Sequence, residues 1–341
     1  MLTDEAKILH QAETWGRLGR AAAIATVVET FGSAPRPVGS HLVVDEAGVF
    51  YGSVSGGCVE GEVVTAALDV IEDGAPRLLN FGVADDAAWR AGLPCGGRIS
   101  VYVQKLDAAC VKLLGELSGE FSMRRASVLL TPLDGGEPWL LRSSDADDDA
   151  PAATLRGGQS ALIEHHGRRL FVYVQRPPTR LVIVGAVHVA QALSAMARIA
   201  GFDVVIIDPR AAFAARERFP DTTLITQWPD EALPELGFDA FTALAALSHD
   251  PKIDDAALRL ALASDCFYVG ALGSATSQAR RAERLKASGV TAGALQRLRA
   301  PIGLDIGAVS PAEIAVSVMG EIVLTQRRKP LRAETARAAS R

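Results

Sequence analysis

Cys58 lies at the centre of Gly52-Ser-Val-Ser-Gly-Gly-Cys-Val-Glu-Gly-Glu62, a stretch in which glycines and serines crowd a single thiol. The run that follows, 59–73, places Val63, Val64, Ala67, Leu68 and Ile71 at helical spacing, which predicts a helix with Cys58 at or just before its N-terminus. Unpaired backbone N–H groups and the positive end of the helix dipole favour a thiolate at such a position. Gly56 and Gly57 let the backbone come close to a ligand. A soft thiolate there suits a soft metal, a persulfide or an electrophile. Glu60 and Glu62 fall in the first turn; their charge opposes the thiolate, yet either is a candidate base or metal neighbour. The same pattern also fits a small buried cysteine at a tight turn. A second glycine-rich loop, Gly92-Leu-Pro-Cys-Gly-Gly97, sets Cys95, Gly96 and Gly97 at the mouth of the next strand, so both loops are candidates for one ligand. Arg36, held between two prolines in Gly32-Ser-Ala-Pro-Arg-Pro-Val-Gly-Ser40, has the fork that matches phosphate or carboxylate, although a solvated loop arginine is equally consistent.

A chain of 341 residues supports two domains, each large enough for its own core. A formal charge of −5 argues against a general nucleic-acid binder. Four cysteines, with no C-x-x-C pair and no zinc spacing to histidine, fit a reducing cytoplasm. Cys110 and Cys266, in a helical and a strand pattern, are expected in the core. The N-terminus reads as an acidic amphipathic helix without the shape of a signal peptide. The most membrane-like segment, 181–201, contains His188, Gln191, Arg198 and two glycines, so it reads as strand, turn and helix and not as a membrane span.

These candidates need elements to position them. Residues 1–178 read as a mixed α/β domain, with strands expected near 21–29, 41–45, 49–54, 77–81 and 98–104. A hairpin turns at Asp134-Gly-Gly136, a polar acidic loop covers 143–153, and two further strands lie near 159–164 and 169–175. The tetrapeptide VYVQ closes both 101–104 and 172–175, suggesting two similar sheet edges. Residues 179–328 alternate strand and helix, which predicts a Rossmann-like, doubly wound parallel sheet; 329–341 is a basic tail. Asp208 follows Gly185 by about twenty positions, as a dinucleotide fingerprint requires. Val187 stands where that fingerprint needs glycine and counts against NAD(P) binding and hydride transfer. His188 either contacts a ligand or caps a helix. His249, in the loop after the fourth strand, and Gly273 with Ser274, at a helix start suited to an anion, lie on the C-terminal edge of that sheet. Ser310-Pro-Ala-Glu313 reads as a capping box.

Taken together, these residues resemble the XdhC/CoxI family, accessory factors of molybdenum hydroxylases. GSAPRPVGS, GSVSGGCVEGEV and LPCGG carry the likeness in the first half; SHDPKIDDAAL, YVGALGS and PIGLDIGAVSPAEIAVSVMGEIV carry it in the second. Val187 departs from the family's usual Gly-Ala-Gly-His turn. The resemblance implies a cofactor-binding chaperone more than a catalyst. Such a protein would bind molybdenum cofactor, as molybdopterin or its dinucleotide, support its sulfuration with a cysteine desulfurase, and deliver it to an apoenzyme of the xanthine, aldehyde or CO dehydrogenase type. Cys58 would then touch molybdenum or a persulfide, and Arg36 or the Gly273–Ser274 helix start would hold a phosphate, with the cofactor between the domains. A nucleotide-dependent oxidoreductase and a purely protein-binding assembly factor are the alternatives, and a homodimer is compatible with either.

Overall fold

The β-branched run near the N-terminus forms β1 (Ala22–Phe31), whose first seven residues are buried. Its period of two explains why both faces are apolar: Ile24 and Val28 join one core, Ala23, Ala25 and Val27 another. The computed structural model describes residues 4–82, 97–142 and 150–327. The chain divides into two units, Met1–Pro177 and Pro178–Arg341.

In the first unit, β1 is central in a five-stranded antiparallel sheet. It pairs with β2 (His41–Asp45) on one side and β5 (Arg98–Lys105) on the other; β3 (Phe50–Gly52) and β4 (Arg77–Phe81) are the edges. Helix α2 (Glu60–Asp73) covers one face with Val63, Ala67 and Val70. The opposite face meets α1 (Asp4–Arg17) and α3 (Ala108–Ser122), together with a second antiparallel sheet. That sheet has the order β7-β6-β9-β8, made from β6 (Ser127–Pro132), β7 (Trp139–Arg142), β8 (Ala161–His165) and β9 (Arg168–Gln175).

Two expectations are corrected here. The VYVQ segments end β5 and β9, which are both interior strands, so the shared residues mark buried ladders and not sheet edges. Residues 150–157 form a short helix, α4 (Ala150–Gly157), and Ala152 is fully buried, so the acidic loop ends earlier than expected. Residues 143–149 lie outside the described residues, as do Cys95, Gly96 and the tail from 328 onward.

The second unit opens with β10 (Arg180–Val184), α5 (His188–Ile199), β11 (Asp203–Ile207), β12 (Thr223–Ile225) and α6 (Pro229–Leu236). Then come β13 (Thr242–Ala246), α7 (Pro251–Leu262), β14 (Tyr268–Ala271), α8 (Ala275–Ala287) and α9 (Ala292–Leu295). It ends with β15 (Leu298–Arg299) and α10 (Pro311–Arg327). Every strand pair is parallel, in the order β12-β11-β10-β13-β14-β15. This is the third-second-first-fourth-fifth-sixth order of a doubly wound Rossmann sheet, with its switch point between β10 and β13. Leu181 and Ile183 face one helical layer while Val182 and Val184 face the other, so a continuous apolar run is what this central strand needs.

Candidate functional site

The antiparallel register of the first sheet gathers its signature loops at one edge. β1 ends there at Phe31, β2 begins there at His41, β3 ends there at Gly52, and β4 and β5 meet there at Phe81 and Arg98. The Arg36 loop, the Cys58 loop and Gly97 therefore share that edge. Contacts tie them closely. A Cβ on Gly56 would sit 3.9 Å from Pro35, and one on Gly97 would lie 2.3 Å from the Ser33 carbonyl oxygen. Gly97 is thus required by close packing of backbone on backbone.

Cys58 is exposed, two residues before the first residue of α2. Its loop is built around Glu60, whose side chain turns inward and is 8% exposed. Carboxylate Oε1 accepts from Ser53 Oγ at 2.7 Å, Ser55 N at 2.9 Å and Val54 N at 3.2 Å. Oε2 accepts from Gly57 N at 2.8 Å and from the Ser55 hydroxyl. Burial would raise the Glu60 carboxyl, but the hydroxyls of Ser55 and Ser53 and the Ser55 amide outweigh it and bring it down to about 2. Ser55 Oγ in turn accepts from Cys58 N at 2.9 Å and Val59 N at 3.0 Å, and Ser53 Oγ accepts from Gly56 N at 2.8 Å.

This arrangement changes the expectation of free amides around the sulfur. The N–H groups of residues 56–59 all bond Ser53, Ser55 or Glu60, so they brace the loop and do not solvate a thiolate. Glu60, considered as a base, is instead the internal anchor. Glu62 is exposed in the first turn of α2. Arg36 donates from Nη2 to Glu5 Oε1 at 2.6 Å, which partly neutralises the cation considered for an anion contact. The other Glu5 oxygen accepts from His41 N at 2.9 Å. Among the described residues no group of three or more His, Cys, Asp or Glu side chains could hold a metal ion. Burial pushes the Cys110 thiol up to about 12 and the Cys266 thiol to about 11, and both are core residues.

The second unit gathers its candidates at the C-terminal edge of the parallel sheet. Gly185, at φ +102°, is required there: an added Cβ would lie 2.5 Å from Ser248 N across the switch point. Asp208 directly follows β11 and is fully buried, and its carboxylate is saturated. Oδ1 accepts from Arg210 N at 3.0 Å and Nε at 2.8 Å; Oδ2 accepts from Ala186 N at 2.8 Å and Arg210 Nη2 at 2.7 Å. Burial would raise Asp208, but the Arg210 side chain and the two amides hold it below the usual carboxylate range. With its lone-pair directions filled, this acid offers little to a ribose hydroxyl. Val187 is the α5 N-cap and packs, half-buried, against the core, while His188 and His249 are exposed. His249 adopts φ +63°. Ser274 caps α8 through Ser277 N.

Sequence reasoning missed the pair behind this edge. Asp254, fully buried, accepts from Ser248 Oγ at 2.7 Å and from Arg281 Nη2 at 3.4 Å. Burial lifts the Asp254 carboxyl above its usual range, against the pull of Ser248 and Arg281. Arg281 also donates to the Leu272 carbonyl at 3.1 Å, so the pair ties α7, α8 and the loop after β14 together. Arg210, two residues past Asp208, was the one partner that local spacing could have revealed.

Comparison with known proteins places these features. The family model described as XdhC Rossmann domain matches residues 181–322, and that of the XdhC and CoxI family matches 15–82, which includes the whole Cys58 loop. The molybdenum cofactor insertion chaperone PaoD of Escherichia coli (strain K12) is 30% identical over 94% of this chain and 89% of its own length. The chain belongs to the XdhC/CoxI family. Among other relatives of this XdhC/CoxI protein, a probable xanthine dehydrogenase subunit from Bacillus subtilis (strain 168) is 28% identical over 90% of this chain and 94% of its own. The crystal structure of a xanthine dehydrogenase from Bacillus halodurans shares the fold, with a TM-score of 0.64 and 24% identity over 96% of this chain and 97% of that one.

Proposed function

We propose that this XdhC/CoxI protein carries molybdenum cofactor, holds it while a cysteine desulfurase sulfurates it, and delivers it to a molybdenum hydroxylase. The observation that carries the reading is an exposed sulfur, Cys58, on a loop fixed by a buried ionised carboxylate within the family's signature region. A soft sulfur is a suitable contact for molybdenum, and a fixed mount lowers the entropy lost when cargo docks. Among the described residues Cys58 is the one exposed cysteine and no three-residue metal cluster is found, which suits cargo that brings its other ligands with it. The relative named as a molybdenum cofactor insertion chaperone supports the same reading. The braced loop and the saturated Asp208 favour carrying over hydride transfer.

The test is cofactor capture and handover by purified protein. Bound pterin is released and quantified by fluorescence, and delivery is read as activity regained by an apo-hydroxylase. Cys58→Ala is expected to lose delivery, while Cys110→Ala retains it. Full delivery by Cys58→Ala would remove that sulfur from the mechanism.

A further inference from the structure

In the second unit, helix α10 is apolar on both sides. Its inner side, with Ala315, Val318, Met319 and Ile322, joins the core that also holds α5. On its outer side Val316 is 51% exposed, and Val323, seven residues on, shares the same helical stripe and is exposed as well. Gly320 lies between them, and Leu304 of the preceding loop sits over it: a Cβ on Gly320 would be 3.1 Å from Leu304 Cδ1. The same loop adds Ile306 at 52% exposure and Val309 at 87%. It is fastened to the helix. Leu304 N donates to the Ser317 carbonyl at 3.2 Å, the Ser317 hydroxyl donates back to the Leu304 carbonyl, and Gly303 N donates to Glu321 at 2.8 Å.

A surface helix ordinarily carries charge on its outer side, and a fixed apolar face without charge marks an interaction surface. Between residues 314 and 326 the only charged side chain is Glu321, whose carboxylate is turned onto the Tyr268 hydroxyl and Gly303 N. Charge returns at the two ends. Glu313 and Arg327 are both exposed and lie seven residues before and after Gly320, about 10 Å along the axis in either direction. At that spacing they stand close to one line with Gly320. The face is therefore complementary to itself when reversed: an antiparallel copy crossing at Gly320 sets valine stripe against valine stripe and Glu313 against Arg327 at both ends. A parallel copy would bring like charges together.

We propose that the outer face of α10, with Leu304, Ile306 and Val309 beside it, pairs antiparallel with the same face of a second copy of this chain, Glu313 of each copy meeting Arg327 of the other. Such a pairing is isologous and closed, so it yields a dimer and not a filament. It does not depend on the carrier reading.

Full-length protein is followed by sedimentation velocity over a concentration series, with thermal unfolding to check that each variant is folded. Wild type is expected to form a dimer. Val316→Glu, which buries an unpaired charge in the pairing, should weaken association at least roughly tenfold. The charges give a sharper readout. Glu313→Arg alone and Arg327→Glu alone should each dimerise poorly, because each sets like charges together at both ends. An equimolar mixture of the two should associate again, since every end then joins an arginine to a glutamate. Wild type that stays monomeric at about 100 μM, where even a weak interface is occupied, overturns the proposal. So does a dimer unchanged by Val316→Glu, or a mixture that associates no better than its components. Two other occupants would show themselves in the same series. Monomeric wild type that captures an apo-hydroxylase, with capture lost in Val316→Glu, would assign the face to the recipient and overturn the second-copy assignment. Dimerisation that appeared only after removal of residues 328–341 would assign it to the tail, with the same consequence.

Discussion

Glu60 illustrates how a residue type can be read correctly as important and wrongly in its role. A carboxylate beside a thiol suggests acid–base chemistry, but here five donors converge on it and the group is folded under the loop that displays Cys58. Glu60→Gln places an amide N–H against donors and should lower stability by about 2–4 kcal/mol, measured by denaturant unfolding. The pH dependence follows from its depressed carboxyl. A group brought from an ordinary 4.5 to about 2 on folding contributes fully above 4.5, and that contribution is lost as pH falls towards 2. The gap between wild type and Glu60→Gln should therefore be constant near neutrality and close between those limits. A gap that widened on acidification would contradict the assignment.

At the level of elements, regular structure with a local period was legible in the sequence and contacts across long separations were not. The buried strand β1, the hairpin of β6 and β7 and the parallel-sheet half all follow from apolar period and turn residues. The capping box was equally plain: Glu313 N meets Ser310 Oγ, and Ser310 N meets the Glu313 carboxylate. By contrast, β15 has only two residues, paired with β14, and is too short to show a period. The Arg36–Glu5 pair and the Asp254–Arg281 pair join residues far apart in the chain, where no spacing rule applies. The direction of the amides before α2 depended on where the Ser55 and Glu60 side chains turned, which composition does not encode. One glycine was legible for a reason other than the one assigned. Gly185 serves close approach of two loops at the switch point, so Gly185→Ala should cost roughly 2–4 kcal/mol even with no nucleotide present. A thermal midpoint equal to wild type would show that Ser248 yields without cost.

Over the whole molecule, each unit holds its own apolar core, and the family likeness extends through both. A Rossmann sheet is usually taken as a sign of nucleotide chemistry, yet the acid at its second strand is already bound by Arg210 and Ala186. The fold is retained while its customary ribose contact is closed. The first unit then sets the kinetics of the proposed handover. Residues 56–59 use their amides internally, so in the proposed handover the segment around Cys58 would meet its cargo already braced. A docking point that does not open and shut imposes no waiting step of its own. Passage to the recipient should accordingly begin without a lag, and its rate should rise in proportion to recipient concentration until encounters saturate. A plateau at low recipient concentration would instead reveal a slow internal latch.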